Sequence, residues 1–154
     1  MSDQENTAIV RRYFEDIRNR QNVAVANSVF SPDVIVHVDT PQGSESVRGI
    51  AAIRQTLQPY LIAFPDRRFT IEGQIAEADR VATRWTAQGT HQGPLMGHAA
   101  TGRPVSFGGT DIFRIANGKI VEGWAHYDRF VILPQIGAVP APHRPSVHLV
   151  RRGG

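Results

Sequence analysis

The stretch from Asp111 to Asp128, DIFRIANGKIVEGWAHYD, constrains the fold of this chain more than any other. It reads as a β-hairpin, with two runs of alternating residues around Asn117-Gly118, a dipeptide that tolerates the left-handed backbone of tight turns. Side chains alternate along a strand, so a one-residue slip of register turns every one of them over. A two-residue turn at Asn117-Gly118 sets Asp111 opposite Trp124, on one face with Glu122, His126 and Asp128. A three-residue loop, Ala116-Asn117-Gly118, sets Asp111 opposite Gly123, sharing its face with Phe113, Val121, Ala125 and Tyr127. The second register segregates the residues better. It gathers Arg114, Glu122, His126 and Asp128 on one side and leaves Asp111 as a single carboxylate on an apolar one.

The rest of the chain supplies the frame for that hairpin. Asn6 to Arg20 has Ile9, Tyr13, Phe14 and Ile17 at helical spacing, and a second short helix is expected over Val23 to Phe30. Pro32 marks the change to a strand at Val34 to Asp39. Thr40 to Arg48 reads as a loop, and Gly49 to Phe64 as a third helix that Pro59 should bend or shorten. The period then becomes two. Arg68 to Ala76, Arg80 to Thr90, Pro104 to Ile115 and Lys119 to Tyr127 read as strands, followed by a short helix over Phe130 to Ile136. Helices followed by a run of strands predict an α+β domain over residues 1–137. In it a cone-shaped, curved antiparallel sheet packs against three N-terminal helices and encloses an apolar pocket. Residues 138–154, with Pro140, Pro142 and Pro145, read as an extended or disordered tail.

Composition removes several function classes. The formal charge is +3, but Arg144, Arg151 and Arg152 supply it from a segment without acids, which leaves a neutral body and no nucleic-acid surface. The absence of cysteine excludes disulfides and thiolate nucleophiles. No GxGxxG, GxxxxGK[ST] or GxSxG occurs, and the six histidines show no metal-ligand spacing, so neither cofactor nor metal is expected. The N-terminus lacks the apolar core of a signal peptide and no run is long enough to span a bilayer; a cytoplasmic protein is expected.

Proton-transfer chemistry in an apolar pocket, or simple binding, remains. Asp111 is either a carboxylate at a strand edge, one paired with an arginine such as Arg84, or a desolvated carboxyl whose raised pKa suits acid/base work. Tyr13 is either a core tyrosine or a second donor to the same pocket. His37 and Asp39 face the same way on their strand and form either a base with its orienter or the polar face of an edge strand. His91, at the start of the Gly-rich loop Gly89 to Arg103, is either a solvent-exposed loop histidine or a catalytic one at the pocket mouth. Phe113, Gly123, Ala125, Tyr127 and Trp85 are the expected substrate-lining positions.

Two stretches, GTHQGPLMGHAATGR (Gly89 to Arg103) and DIFRIANGKIVEGWAHYDRFVILPQIG (Asp111 to Gly137), resemble the SnoaL-like polyketide cyclases of the nuclear-transport-factor-2-like superfamily. The likeness runs from about Ile9 to Gly137. It implies a cone-shaped α+β fold and ring closure by cofactor-independent intramolecular aldol chemistry. The family's catalytic acid falls at Ala125 and its partner histidine at Asp111, two departures; His91 matches the histidine of the family's GxHxG segment. Ketosteroid isomerase, in the same superfamily, is similar at Tyr13 and Asp111 for its oxyanion hole and at Asp39 or His37 for its base. The resemblance also implies a homodimer through the outer sheet face that carries Glu122, Trp124, His126 and Asp128. The expected function is a cyclase or isomerase acting on an apolar, carbonyl-bearing substrate. The alternative is a non-catalytic binding or scaffold member.

Overall fold

The computed structural model describes residues 1–40 and 42–140. Helix α1 (Asp3–Arg12) begins earlier than its apolar stripe. The Ser2 hydroxyl accepts from the Glu5 backbone N–H, and the Glu5 carboxylate accepts from the Ser2 N–H, a reciprocal cap that satisfies two otherwise orphaned donors. The helix then widens into a π-helix, Tyr13–Asn19. The second expected helix is broken into a 3-10 turn (Val23–Val25) and α2 (Ala26–Val29). Helix α3 (Ile50–Ala63) runs on past Pro59, which forfeits one backbone bond without ending it.

The strands are β1 (Phe30–Thr40), β2 (Gly43–Arg48), β3 (Arg68–Glu77), β4 (Arg80–Thr90), β5 (Pro104–Ala116) and β6 (Lys119–Tyr127). Segment β2 was expected to be a loop. It is instead an exposed edge strand paired antiparallel to β1, with Val47 its one partly buried residue, so it carries no apolar alternation to betray it. The six strands form one curled, unclosed sheet in the order β2-β1-β6-β5-β4-β3. Four of its pairings are antiparallel, and β1–β6 is parallel. Strand β1 begins earlier than expected and contains Pro32. That residue sits in the gap between the Phe30 and Ile35 rungs, where its missing N–H breaks no ladder bond.

The hairpin follows neither register as drawn. Asn117 and Gly118 form a two-residue turn, both with positive φ (50° and 75°), and Ala116 pairs with Lys119. A bulge follows at once: Ile115 pairs with Ile120 but Arg114 with Glu122, so Val121 is the extra residue. The bulge restores the faces of the three-residue-loop register while displacing its partners. Asp111 lies opposite Ala125, not Gly123, and Gly123 lies opposite Phe113. A Cβ on Gly123 would come within 2.8 Å of the Phe113 ring, so glycine is what lets that ring lie flat on β6.

The N-terminal helices and α3 pack on the concave side around Phe14, Phe30, Val34, Val81, Trp85 and Ile120. Short helix α4 (Ile132–Gln135) is tied to β5 by Gln135, whose amide accepts from Ser106 N–H and donates to Ser106 C=O, each at 2.8 Å. Of the expected tail, 138–140 is described and Ala138 packs on the core; residues 141–154 lie outside the described residues. No described helix is long and apolar enough to cross a membrane.

Candidate active site

A cavity of about 50 Å³ lies between the π-helix, α3 and the concave faces of β1, β4, β5 and β6. Its wall is mostly aromatic and aliphatic, and the polar side chains in it include Tyr13, Arg18, Asp111 and Arg129. Strand alternation and the π-helix bring in three of these four. Alternation along β5 turns Asp111 inward with Phe107 and Phe113, and leaves it only 2% exposed. The π-helix turns in Tyr13 and Arg18 together. In an α-helix residues i and i+5 diverge by roughly 140°, whereas i→i+5 hydrogen bonding brings them nearly into line. Arg18 Nη1 accordingly donates to the Tyr13 hydroxyl oxygen at 2.9 Å.

Burial raises the Asp111 pKa from the ordinary 3.8 to about 6. The Arg18 guanidinium, the Trp85 indole N–H and the His126 backbone N–H oppose the rise without cancelling it. Asp111 Oδ1 and Trp85 Nε1 each lack a partner at full hydrogen-bond geometry among the described residues, so the two groups lie near one another with their bonding capacity open. The Tyr13 phenol is also raised by burial, against the pull of Arg18. Because its oxygen accepts from Arg18, its own proton remains free to be donated. The Arg18 guanidinium lies 4.1 Å from the centre of the Phe69 ring, and its Nε has no partner among the described residues.

The outer part of the cavity is closed by Tyr60, Tyr127 and Arg129. Arg129 Nε donates to the Tyr127 hydroxyl at 3.0 Å, and the Tyr60 and Tyr127 rings meet edge to face at 5.8 Å. Burial and the neighbouring Tyr127 push the Tyr60 phenol up, so it stays protonated. Beyond this wall lies an open cleft of about 330 Å³, which shares Val38, Val47, Thr56, Tyr60 and Arg129 with the cavity.

Of the positions expected from the sequence, Tyr13, Trp85, Asp111, Phe113, Ala125 and Tyr127 meet around this cavity. Gly123 is buried on the same strand face but does not line it. His37 and Asp39 do not reach it, because alternation along β1 turns Val36 and Val38 inward and sends those two outward. His37 bridges Ser46 (2.8 Å) and Glu122 (3.1 Å) and stacks on Trp124 at 5.5 Å, and Asp39 faces His126 at 3.3 Å. With Arg114 also on Glu122 at 3.1 Å, these side chains form the polar ladder of the outer face. The hydrogen bond from His37 and the Arg114 guanidinium hold the Glu122 carboxyl below its usual range. His91 is not at the pocket mouth. It is fully buried beside Phe64, with Nδ1 against Thr101 Oγ1 at 3.0 Å, and its backbone closes the 91–103 loop through Arg103 C=O and Gly102 N–H. Arg84 does not pair with Asp111; Thr83 is its cross-strand partner and Arg84 faces outward.

Sequence reasoning missed Arg18, Tyr60 and Arg129. Tyr60 was within reach of it, since Ile53, Leu57 and Tyr60 keep the i, i+4, i+7 spacing of one helix face. Arg18 is five residues from Tyr13, a spacing that an α-helix would separate, and the π-helix brings the two together. Arg129 lies beyond the end of β6, where alternation no longer applies. Among the described residues there is no group of three or more His, Asp or Glu placed to hold a metal ion.

The family model of the SnoaL-like polyketide cyclases matches residues 8–136. No curated protein matches the chain. Among solved structures, AclR of Streptomyces galilaeus, provisionally described as a hydroxylase, is 29% identical with a TM-score of 0.81, covering 93% of this chain and 87% of its own. IdmH of Streptomyces antibioticus, provisionally described as a polyketide cyclase, is 26% identical with a TM-score of 0.75, covering 86% and 98%. A SnoaL-like protein of Jannaschia, 21% identical with a TM-score of 0.80 over 90% of this chain and 95% of its own, shares the fold. With the match spanning nearly all the described residues, the chain belongs to the SnoaL-like polyketide cyclase family.

Proposed function

We propose that this protein is a cofactor-independent cyclase or isomerase that moves a proton at carbon next to a carbonyl, on a largely apolar, polyketide-like substrate. One observation carries the reading: Asp111 is a buried carboxyl on the cavity wall, directly across the β5–β6 ladder from Ala125. Cross-strand neighbours hold their Cβ atoms about 5 Å apart, so a carboxylate at 111 reaches the volume that one at 125 would occupy. On this view the acid absent from β6 is supplied by β5.

The chemistry follows from the environment. With a pKa of about 6, Asp111 is largely ionised at neutral pH and still basic enough to take the proton of an acidified methylene. As the C–H bond breaks, charge moves to the carbonyl oxygen, where Tyr13 donates its free proton while Arg18 polarises the phenol. In the cyclase case the enolate carbon then attacks a second carbonyl of the same molecule. The proton on Asp111 returns to the new alkoxide, and the carboxylate is regenerated. In the isomerase case the proton returns to a different carbon. The apolar wall of Phe113, Tyr127 and Trp85 excludes water and folds the chain for attack.

The test is turnover of poly-β-carbonyl precursors by wild type, Asp111→Asn and Asp111→Ala. General-base loss lowers kcat by about 10²–10⁴; undiminished activity in both variants would remove Asp111 from the mechanism. A ligand that binds and is recovered unchanged, with no precursor turned over, would mean a binding protein. The likeness to AclR favours a second reading, oxygenation of the same carbon acid. Product mass under ¹⁸O₂ separates the two, since ring closure incorporates no oxygen atom. The outer face, where Trp124 stacks on His37 beside the half-exposed Ile112, fits a second copy of the chain. Light scattering at micromolar concentration should give twice the chain mass, and a monomeric mass would exclude the pairing.

A further inference from the structure

The cavity and its surroundings are electrostatically lopsided. Arg18 and Arg129 line it, and Arg67 lies directly behind, with its Nε donating to the Arg18 carbonyl at 2.7 Å. None of the three has a carboxylate within ion-pair distance among the described residues, although Arg67 is buried and Arg18 and Arg129 are half-buried. Among the described residues Asp111 is the one carboxyl on the cavity wall, acting on Arg18 from beyond that distance, and Glu45 is the one that lines the outer cleft. Guanidiniums are rarely placed in an apolar wall without an anion, because partial desolvation has to be offset by charge-assisted bonds. Phenols and backbone carbonyls serve Arg18 and Arg67 here. Among the described residues Arg129 has one hydrogen bond, from Nε to Tyr127, and both terminal nitrogens are left to form a fork.

Position distinguishes the two lining arginines. Arg18 belongs to the inner cavity alone, while Arg129 lines both the cavity and the outer cleft. Asp39 acts on Arg129 only from beyond ion-pair distance. At about 50 Å³ the inner space admits a few waters and no ring system, so a substrate enters by displacing the Tyr60–Tyr127–Arg129 wall.

From this imbalance we infer that the substrate is an organic acid: its carboxylate docks on the free fork of Arg129 at the cavity mouth, and the reacting carbonyl thereby reaches Tyr13 and Arg18 inside. The inference rests on the acid/base reading only for what happens to the carbonyl. Recognition of the carboxylate is a separate property of Arg129. An acid anchored at the mouth is also threaded in one direction, with its uncharged end toward Asp111.

Calorimetric titration with 2-naphthoate and with its methyl ester tests the assignment on the full chain without needing turnover. Wild type should bind the acid at least tenfold more tightly than the ester. Arg129→Met should abolish that preference, Arg129→Lys should keep part of it, and Arg18→Met should leave it in place. Equal affinity for acid and ester, no binding of either at millimolar concentration, or a preference that survives Arg129→Met would overturn the proposal. So would a preference lost with Arg18→Met and kept with Arg129→Met, which would put the anion inside. Circular dichroism of each variant establishes that it is folded. Asp111→Asn separates this inference from the catalytic reading: it should lose turnover and retain the preference for the acid. Turnover retained in that variant would defeat the mechanism and leave the anchor standing.

Discussion

Asp111→Asn should make the protein more stable at neutral pH while making it a poorer catalyst. Folding takes the Asp111 carboxyl from its ordinary pKa of 3.8 to about 6, chiefly by removing it from water. Between those values the folded chain holds a proton that the unfolded chain has released. Stability therefore falls as pH rises through this window, because the native state binds more protons than the denatured state. Below about pH 4 both states are protonated and the group contributes no penalty. Above about pH 6 the full penalty applies, and a shift of about two units corresponds to roughly 3 kcal/mol. Asparagine keeps the shape and cannot ionise, so it removes this dependence. Urea unfolding of wild type and variant near pH 4 and near pH 7.5 isolates the effect in the difference between the two proteins. The carboxyls held low, such as Asp66 and Glu122, contribute with the opposite sign but equally to both. The variant should gain on the order of 3 kcal/mol over wild type at the higher pH relative to the lower. A difference that does not change with pH would show that Asp111 is not a desolvated titrating carboxyl, and the base assignment would fall with it.

Three further outcomes follow from the geometry. Because Asp111 and Ala125 are opposite one another, the double variant Asp111→Ala/Ala125→Asp should recover at least tenfold of the activity that Asp111→Ala loses; no recovery would mean that the two positions do not address the same point. Asp39→Asn and His37→Ala should leave kcat within about twofold, since both residues lie on the far side of the sheet; a loss of the size expected for a missing general base would return them to the site. His91→Ala should lower stability by about 2–4 kcal/mol, the range for emptying a large, fully buried site, while kcat of the folded fraction stays near wild type; a selective loss of kcat would make His91 more than a clamp for its loop.

The parts of the fold that obey one period were legible in advance. Strands β3 to β6 alternate cleanly, so their existence and their inward faces followed from the pattern, including the company of Asp111, Phe113, Ala125 and Tyr127. What escaped were the places where one residue breaks the period. Val121 bulges, and so the hairpin has a two-residue turn with the faces of a three-residue one. Edge strand β2 buries almost nothing and gives no alternation. Arg18 sits five residues from Tyr13, a spacing that means separation on an α-helix and contact on a π-helix. His37 and Asp39 were ambiguous by sequence because alternation says that two residues share a face without saying which. The parallel pairing of β1 with β6 settles it, by turning Val36 and Val38 to the inside.

The π-helix gives this site an unusual kind of adjustability. Tyr13 and Arg18 cooperate only while the backbone between them keeps its wider turn. If Tyr13–Asn19 wound as an ordinary α-helix of the same length, Arg18 would turn about 140° away from Tyr13, with no change to either functional side chain. The guanidinium would then leave its bond to the phenol, and Tyr13 would meet the substrate as an unassisted hydroxyl. Relatives that keep both residues five apart but wind this segment as an α-helix would therefore differ in how strongly they hold a developing oxyanion. In such a scaffold the winding of a helix is as much a determinant of reactivity as the identity of any residue on it.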